Sequence, residues 1–563
     1  MTNKIIIYQV FTRLFGNDTS NCRPNGSKAE NGCGRFSDFT QKALLDIKAL
    51  GATHIWYTGI IEHATQTGYE EFGIHPDHPA IVKGKAGSPY AIKDYYDVDP
   101  DLAGKPNERM KEFQNLVSRT HKAGLKIIID FVPNHVARQY HSDRKPEDVM
   151  DLGETDHTDR AFDPQNNFYY IPGEAFHPQF DLSQGAETPY EEYPAKATGN
   201  DNFSASPSCN DWYETVKLNY GVDYCGGHRK CFDPIPDTWY KMRDILLFWS
   251  GKGVDGFRCD MAEMVPVEFW GWVIPQIKNH HPEIIFIAEV YNPNEYRNYI
   301  YQGRFDYLYD KVGLYDTLRG VICGYTSARQ ITGCWQSIDD IKDRMLNFLE
   351  NHDEQRLASD FFAGEPEKGK PGLIVSACMS KCPMMIYFGQ ELGERGMDAE
   401  GFSGLDGRTT IFDYWSVDTI RRWRNRGKFD GRQLTAKEIM LKAYYTRILA
   451  ICQKEKAIRM GDFYDLMYVN QGCDLFNADR AYTFVRKKDK DLLLFIVNFE
   501  EVDRHMAINL PKHLFEFFGM TEKEEVIACD LITNEKECIA FNSGQSVMTD
   551  VPAYGGKILK IRL

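Results

Sequence analysis

The sequence has no long hydrophobic run. Residues 5–7 form a short apolar stretch near the start, which is too short for the hydrophobic part of a secretory signal peptide. No segment approaches the roughly 18 apolar residues that a membrane-spanning helix needs. We therefore expect a protein that carries no export signal and has no membrane partner.

Basic residues are fewer than acidic residues in this sequence. The chain of 563 residues has 66 Lys and Arg against 81 Asp and Glu, which gives a net charge of −15. Because nucleic-acid binding requires a basic face, this balance argues against a nucleic-acid partner. The 14 cysteines are scattered without repeated spacings. In a chain without an export signal, they predict reduced thiols and a cytoplasmic location.

Internal repeats and low-complexity tracts are also missing, and what remains is an alternation of short apolar segments with helical stretches. Such alternation predicts a parallel sheet with helices outside it. The predicted strands are residues 5–11, 53–60, 126–132, 254–259, 284–290, 305–309, 345–349 and 384–388. Eight strands, most of them followed by a helix, predict an α/β protein with a (β/α)₈ barrel.

The helical period is clearest in two segments, residues 39–50 and 108–123. Each has apolar positions three or four residues apart, and a glycine follows each segment. The predicted buried faces are Ala43, Leu44, Ile47 and Leu50 in the first helix and Met110, Phe113, Leu116, Val117 and His121 in the second.

Two parts of the chain depart from the alternating pattern. Residues 136–236 are rich in Asp, Asn, Pro, Gly and Tyr and lack periodicity, which indicates a subdomain inserted after the third strand. Late in the chain, short strands without intervening helices predict a C-terminal antiparallel β-sandwich; these strands are residues 481–486, 492–498, 506–510, 526–531 and 557–562. The predicted domains are a barrel (1–135 and 237–460), an inserted subdomain (136–236) and a β-sandwich (461–563).

Charged and polar residues close several predicted barrel strands. Asp130 lies near the end of the third strand and His135 just after it. Asp260 follows the fourth strand, Glu289 lies near the end of the fifth, and Asp353 follows the seventh. Active sites of such barrels lie at the carboxyl ends of the strands, so these side chains are expected to share one rim. Because burying unpaired charges is costly, they should face a polar cleft.

Glycoside hydrolysis requires two carboxyl groups that flank the scissile bond. Arg258 stands two residues before Asp260, so both side chains point to the same side of a strand, and the guanidinium group can keep Asp260 ionised as a nucleophile. Glu289 has fewer positively charged neighbours in the local sequence than Asp260 has. It is therefore expected to remain protonated and to act as the proton donor.

These segments resemble the signature regions of the α-amylase family, glycoside hydrolase family 13. The similar segments are residues 130–135 (first region), 256–264 (second), Glu289 (third), 348–353 (fourth), Lys217-Leu218-Asn219 (fifth, in its neopullulanase-like form) and 88–95 (a Tyr-containing segment of the family). Their order and spacing fit from residue 5 to the C terminus, so the resemblance covers nearly the whole chain.

The resemblance implies a role for each matching residue. Asp260 would be the nucleophile, Glu289 the general acid/base and Asp353 the stabiliser of the transition state. The reaction would retain the α configuration through a covalent glycosyl-enzyme. The implied substrate-binding residues are Tyr90, His135, Arg258 and His352.

The implied activity is hydrolysis of α-1,4-glucosidic bonds, with α-1,6 bonds as a further target, in starch-derived glucans or maltooligosaccharides. Glu263 and Met264 stand where many secreted α-amylases carry a Lys-His pair on the leaving-group side. This departure keeps a 4-α-glucanotransferase or another transglycosylase open as the alternative. Gly87 stands where exo-acting α-glucosidases often carry Asp, which favours an open cleft for longer chains.

The chemistry implied by the resemblance requires no cofactor. Asn134 matches the asparagine that often ligates calcium between the barrel and the inserted subdomain, so the resemblance also implies a structural Ca²⁺ there. The sequence assigns no further ligand to that ion.

Overall fold

Eight parallel strands form a closed barrel in the computed structural model, which describes residues 4–183 and 185–563. Each strand is hydrogen-bonded to the next along the chain, and the eighth pairs with the first. The strands are β1 (Ile6–Phe11), β2 (His54–Thr58), β3 (Lys126–Phe131), β4 (Gly256–Cys259), β5 (Ile285–Ala288), β6 (Tyr307–Tyr309), β7 (Met345–Phe348) and β8 (Met384–Tyr387). The barrel prediction and all eight predicted strands are confirmed.

The barrel is filled by its own side chains. The inner cluster comprises Ile7, Trp56, Ile128, Ile287, Tyr309, Tyr315, Leu346, Phe348 and Met385. A larger apolar core lies outside the strands, where the helices pack. Because protein interiors are close-packed, this filled barrel gives the groups at its rim a rigid support.

Helices surround the barrel. The α-helices of the described chain are Thr12–Phe15, Lys28–Asn31, Gln41–Leu50, Arg109–Lys122, Asp237–Gly251, Val267–His280, Tyr296–Tyr301, Asp316–Ile322, Gln330–Ser337, Lys370–Cys378, Asp418–Arg424, Ala436–Lys454, Lys456–Met460, Met467–Asn470 and Lys512–Phe518. None of these helices combines the length and the apolarity that crossing a bilayer requires.

The predicted buried face is confirmed in full for one helix, whereas in the other Met110 is half-buried and His121 is exposed. Helix Gln41–Leu50 buries all four predicted residues and ends at Gly51, whose φ of 119° lies in the left-handed region that favours glycine. In Arg109–Lys122, His121 is exposed instead of buried and its Nε2 lies 2.8 Å from Asp255 Oδ2. His121 stands in the last turn, where an imidazole reaches a neighbouring carboxylate rather than the core.

Among the described residues between β3 and helix Asp237–Gly251, the strands form short pairs only. Strand His135–Ala137 pairs antiparallel with Thr215–Lys217, and this register sets His135 opposite Lys217. Two smaller pairs complete the segment: Tyr170–Ile171 with Ala195–Lys196, and Val222–Asp223 with Arg229–Lys230. The inserted part predicted after the third strand is therefore present, and it returns to the barrel rim beside the end of β3.

A C-terminal antiparallel arrangement follows, as predicted. Its strands are β9 (Asp462–Asp465), β10 (Ala481–Lys488), β11 (Asp491–Asn498), β12 (Arg504–Ile508), β13 (Lys523–Asp530), β14 (Lys536–Phe541), β15 (Val547–Val551) and β16 (Gly555–Arg562). Six strands form one sheet in the order β9-β10-β11-β16-β13-β14, and β12 pairs with β15.

Three of these strands and two helices, Met467–Asn470 and Lys512–Phe518, were not predicted. Strands β9 and β14 are the two edges of the six-stranded sheet, and charged residues on edge strands weaken the apolar pattern. Strand β15 belongs to the separate pair. Helix Lys512–Phe518, which buries Leu514 and Phe515, shows that the expectation of no helix in this region was wrong.

Candidate active site

The parallel register of three barrel strands brings the predicted carboxylates together. Asp130 on β3 stands opposite Arg258 on β4, and Cys259 on β4 stands opposite Ala288 on β5. Asp260 and Glu289 each come one residue later, so they emerge side by side at the same rim. Asp353 reaches this rim from the segment that follows β7.

Arg258 is the centre of this cluster. Its Nη1 lies 2.7 Å from Asp260 Oδ1 and 3.4 Å from Asp130 Oδ1. Its Nη2 lies 2.7 Å from Glu289 Oε2 and 4.0 Å from Asp353 Oδ2. One buried guanidinium group therefore contacts all four carboxylates and holds them around a common space.

The structure corrects the expectation that Glu289 lies apart from positive charge. Arg258 is as close to Glu289 as it is to Asp260. The carboxylate of Glu289 also accepts hydrogen bonds from the backbone N–H of Met261 at 2.8 Å and from the Tyr291 hydroxyl at 2.5 Å. The sequence argument considered neighbours along one strand, whereas Arg258 reaches Glu289 across the pair β4 and β5. Local charge therefore does not separate the nucleophile from the acid.

The carboxylates nevertheless resist full ionisation. Burial raises the pKa of Asp260 well above its usual range, Arg258 opposes this effect, and the Glu289 and Asp353 carboxylates add to it. Burial likewise raises the pKa of Asp130 to about 6, against the pull of Arg258. Burial thus outweighs the guanidinium group at both aspartates, and each holds its proton more readily than a carboxyl group in water.

A chain of hydrogen bonds fixes His352. Gln9 Nε2 lies 2.8 Å from His352 Nδ1 and donates to it, so the other ring nitrogen, Nε2, carries the proton. That Nε2 lies 3.1 Å from Asp353 Oδ2 and also contacts the Tyr90 hydroxyl. Burial and the Arg258 charge lower the pKa of His352 well below its usual range, so the ring is neutral and can donate a hydrogen bond.

His135 lines the wall of the pocket that the insertion supplies. Its ring meets the Trp212 ring edge-on with centroids 5.3 Å apart. Burial lowers the pKa of His135 to about 3, so it is also neutral at pH 7. Tyr90 lies on another wall, and its ring is stacked 5.2 Å from the His352 ring. All predicted substrate-binding residues therefore lie at one site.

The pocket has a volume of about 230 Å³. It is lined by Lys83, Ser88, Tyr90, His135, Trp212, Glu214, Thr215, Asp260, Met261, Glu289, Tyr291, Asp353, Ile411 and Phe412. Its mixture of carboxylates, imidazole and aromatic rings suits a polyhydroxylated ligand with apolar C–H faces.

Several of these residues were not identified from the sequence. Lys83 and Glu214 form an ion pair with Nζ and Oε2 2.9 Å apart, and both line the pocket. Ile411 and Phe412 come from the long segment after β8. Nothing in the local sequence marks these positions, because they come from loops far apart in the chain.

Gly87 shows why an Asp is excluded at its position. Its φ is 73°, and a Cβ placed there would lie 1.7 Å from the carbonyl oxygen of Ala64. The backbone of this loop is thus too close to its neighbour for any side chain. The absence of Asp at this position therefore follows from packing.

The calcium prediction at Asn134 is corrected by the structure. Asn134 Oδ1 accepts a hydrogen bond from Lys217 Nζ at 2.8 Å, and Nζ also lies 2.5 Å from Asp201 Oδ1. Only 1% of the Lys217 side chain is exposed. The ammonium group fills the place in which a cation would bind these oxygens, so the residues around Asn134 do not fit a calcium ion.

Two other charged residues near the barrel rim are structural. Glu350, which follows β7, pairs with Arg356 at 3.0 Å, and Glu391, which follows β8, accepts a hydrogen bond from the Tyr8 hydroxyl at 2.8 Å. Both are buried, and neither lines the pocket.

Comparison with known proteins gives the following matches. The sequence model of the family described as α-amylase, catalytic domain, matches residues 9–426 of this chain. An α-amylase of Streptomyces lividans is 26% identical over 400 residues, which cover 66% of this chain and 41% of that protein. Alpha-amylase 3 of Dictyoglomus thermophilum is 21% identical over 575 residues, which cover 97% and 93%. Neopullulanase 2 of Thermoactinomyces vulgaris is 23% identical over 410 residues, which cover 69% and 57%.

Among solved structures, the maltogenic α-amylase AmyB of Thermotoga neapolitana superposes with a TM-score of 0.60 at 20% identity. The superposition covers 100% of this chain and 99% of that one, so the two share their fold over the full length. The chain thus spans less than two thirds of two of the curated relatives and nearly all of a third.

Proposed function

Since this chain belongs to the α-amylase family and is a glycoside hydrolase, we propose that it hydrolyses α-1,4-glucosidic bonds in starch-derived glucans or maltooligosaccharides with retention of configuration. The observation that carries this proposal is the contact of Arg258 with both Asp260 and Glu289, at 2.7 Å each, on the floor of a sugar-sized pocket. Two carboxyl groups bound to one guanidinium group lie close together, as the retaining mechanism requires.

In the first step, Asp260 attacks the anomeric carbon. The bond between that carbon and the glycosidic oxygen breaks, and Glu289 gives its proton to the leaving oxygen. The sugar is then esterified to Asp260. In the second step, water attacks the same carbon, its proton passes to Glu289, and the ester bond to Asp260 breaks. The carboxylate of Asp260 is restored, and the released sugar has its original configuration.

The surrounding residues bind the sugar at the reacting centre. We propose that Asp353 binds sugar hydroxyls and stabilises the positive charge of the transition state, since 38% of its side chain is open to the pocket. Neutral His135 and His352 donate hydrogen bonds to hydroxyl groups. Tyr90 provides an aromatic face for the ring. These steps use only groups of the chain itself and require no cofactor.

Three parts of the chain contribute differently to this activity. We propose a barrel of residues 1–135 and 237–460 that carries the carboxylates, an inserted subdomain of residues 136–236 that supplies Trp212 and Glu214, and a C-terminal sandwich of residues 461–563. The positions of the short strand pairs and of the two C-terminal sheets support this division. The cytoplasmic location remains a prediction from the sequence.

Proton NMR of maltoheptaose digestion tests the mechanism. The first new reducing ends should be α-anomers, which convert to the β-form only by mutarotation. Initial release of β-anomers would mean an inverting reaction and would exclude Asp260 as a nucleophile. The same preparation carrying Asp260→Asn is the control for contaminating activity. Chromatography of early products from maltooligosaccharides, pullulan and starch then defines chain length and any action on α-1,6 bonds.

A second candidate function, transfer of a glucan to another sugar, is favoured by a second cavity. This cavity, of about 370 Å³, is lined by Glu263 and Met264 together with Tyr224, His228 and Lys230. Glu263 and Met264 come shortly after Asp260 in the chain, and Tyr224 offers an aromatic ring to an acceptor sugar. Tyr224→Ala should lower the ratio of transfer to hydrolysis products if an acceptor binds there, whereas the exposed Tyr301→Ala serves as control. No transfer products at all would leave hydrolysis as the single activity, whereas an unchanged ratio would mean that no acceptor sugar binds in this cavity.

A further inference from the structure

Glu289, the proposed proton donor, has a hydroxyl group as its neighbour in the pocket. Tyr291 stands two residues later in the chain and lines the same pocket. Its hydroxyl group donates a hydrogen bond to Glu289 Oε1 at 2.5 Å, a distance typical of a charge-assisted bond. Because the leaving sugar departs with a proton from Glu289, a donor bound to this carboxyl group can affect the proton transfer.

The two oxygens of Glu289 have different surroundings. Oε2 accepts a hydrogen bond from the backbone N–H of Met261 at 2.8 Å and lies 2.7 Å from Arg258 Nη2. A proton on Oε2 would lie next to a cation and to another N–H hydrogen, and both would repel it. The proton that Glu289 carries as an acid therefore belongs on Oε1, which is the oxygen that Tyr291 contacts.

The backbone donor to Oε2 is held in an unusual conformation. Met261 has a φ of 42°, in the left-handed region that residues with a side chain seldom adopt. It follows Asp260 directly, so the turn that presents the nucleophile also directs an N–H group at Glu289. Oε2 is therefore bound to the chain, and Oε1 is the oxygen left for the reaction.

The segment that carries Tyr291 is fixed on both sides. The backbone N–H of Glu289 donates to the carbonyl oxygen of Cys259 at 3.1 Å, and the backbone N–H of Asn292 donates to Glu263 Oε2 at 3.0 Å. The ring of Tyr291 packs against the apolar cluster inside the barrel. Its hydroxyl group is therefore held at Oε1 by a rigid support.

We propose that Tyr291 is a positioning residue for proton transfer, which holds the carboxyl group of Glu289 so that the proton on Oε1 points at the leaving glycosidic oxygen. This inference rests on the proposed function. A protonated Oε1 keeps a lone pair that accepts the hydrogen bond from Tyr291. Because the tyrosine occupies one side of Oε1, the O–H bond is directed to the other side, into the pocket.

Tyr291 keeps its own proton in both steps of the reaction. Burial raises the pKa of Tyr291 above its usual range, and the negative charge of Glu289 adds to this effect. In the first step, the O–H bond of Glu289 breaks and the proton binds the glycosidic oxygen, which leaves as an alcohol. In the second step, Oε1 takes a proton from the attacking water. The hydrogen bond from Tyr291 holds the carboxyl group in place throughout.

The dependence of the rate on the leaving group tests this inference in the full-length chain. The kcat/KM of the wild type and of Tyr291→Phe is measured with para-nitrophenyl and para-methoxyphenyl α-maltosides, which carry the same sugar. Nitrophenolate leaves with little help from an acid, whereas methoxyphenolate needs a proton. We expect Tyr291→Phe to lower kcat/KM by about 10–100-fold on the methoxyphenyl substrate and by less than about threefold on the nitrophenyl substrate.

Two further variants calibrate the measurement. Glu289→Gln removes the acid itself, so it should show the same pattern with a larger loss on the methoxyphenyl substrate. Tyr301→Phe removes a hydroxyl group from an exposed tyrosine outside the pocket and should leave both rates unchanged. Thermal unfolding verifies that Tyr291→Phe is folded, since phenylalanine keeps the ring that packs against the barrel interior.

Each result supports or overturns the inference. A loss that is confined to the methoxyphenyl substrate supports it. An equal loss on both substrates would mean that Tyr291 binds sugar or supports the fold, and no loss on either would mean that Glu289 is positioned without it; both results overturn the inference and leave the proposed function intact. If the wild type cleaves neither the maltosides nor maltoheptaose, the proposed function fails and the inference fails with it.

Discussion

Two buried arginines of this protein border clusters of carboxylates, and the two clusters differ in geometry. Arg258 lies between its partners and contacts all four of them, from four different strand ends of the barrel. Arg109 lies at one side of its cluster and makes one close contact, to Asp97. The carboxylates of that cluster are Glu62, Asp94, Asp97 and Asp143. The Arg258 cluster opens into the pocket of about 230 Å³, whereas Glu62 and Asp94 in the other are closed off from solvent.

This difference shows that the same residue types can be arranged in two ways. A central guanidinium group keeps carboxylate oxygens apart and directs them at a substrate. The arginine at the edge of the other cluster makes its close contact with Asp97, and Asp94 is held instead by hydrogen bonds from Ser142 and from backbone N–H groups. The residue types are nearly identical in both places, so the position of the arginine decides which carboxylates it pairs with closely.

The variant Asp260→Asn gives the strongest test of whether the Arg258 cluster performs the chemistry. If the Arg258 cluster performs chemistry, the variant should lose about 10⁴-fold or more in kcat/KM on maltoheptaose, because a nucleophile is removed without a change in shape. Its Tm should stay within a few degrees of the wild type. Turnover near the wild-type level would mean that another residue attacks the sugar.

Arg258→Lys tests whether the central position matters. A lysine keeps the positive charge but cannot contact several carboxylates at once, so we expect kcat to fall by about 10²-fold. Arg258 opposes the burial that raises the pKa of Asp260. With this contact weakened, the pKa rises further, and the acidic limb of the pH–rate profile moves to higher pH. A shift to lower pH would contradict this account.

Asp97→Asn probes the other cluster. The substitution breaks the 2.7 Å ion pair with buried Arg109, so the free energy of unfolding should fall by about 2–4 kcal/mol. The kcat on maltoheptaose should not change, because Asp97 lies outside the pocket. Urea unfolding and initial rates measure the two effects. A loss of kcat in a fully folded variant would show that the two clusters are coupled.

Lys217→Met tests whether an ammonium group takes the place of an ion beside Asn134. Removing the charge leaves Asn134 Oδ1 and Asp201 without their donor, and we expect a loss of about 1–3 kcal/mol in unfolding free energy. Lys196→Met, on a more exposed lysine of the same insertion, should cost less than 1 kcal/mol. Equal losses in the two variants would argue against a special role for Lys217.

Much of the site could be predicted because its residues close barrel strands. Asp130, Asp260 and Glu289 lie at or just after the ends of predicted strands, and the barrel rule places such endings at one rim. The local sequence also placed Arg258 on the same side as Asp260. What it could not show was the contact of Arg258 with Glu289, since that contact depends on the register between β4 and β5.

The calcium prediction failed for a related reason. Asn134 has its expected position, but His135 pairs with Lys217, which is 82 positions later in the chain, and this pairing brings the ammonium group to the asparagine. The C-terminal edge strands β9 and β14 escaped prediction because their charged residues hide the alternation that buried strands show.

The sequence by itself determined the barrel and the identity of the residues at its rim, because apolar periodicity and strand endings are local properties of the chain. Only the tertiary structure decided which charges meet: Arg258 with Glu289, Lys217 with Asn134, and Glu62 with Asp94 and Asp143. The physical reason is that electrostatic contacts depend on distances between segments far apart in sequence, and strand register and loop packing set those distances.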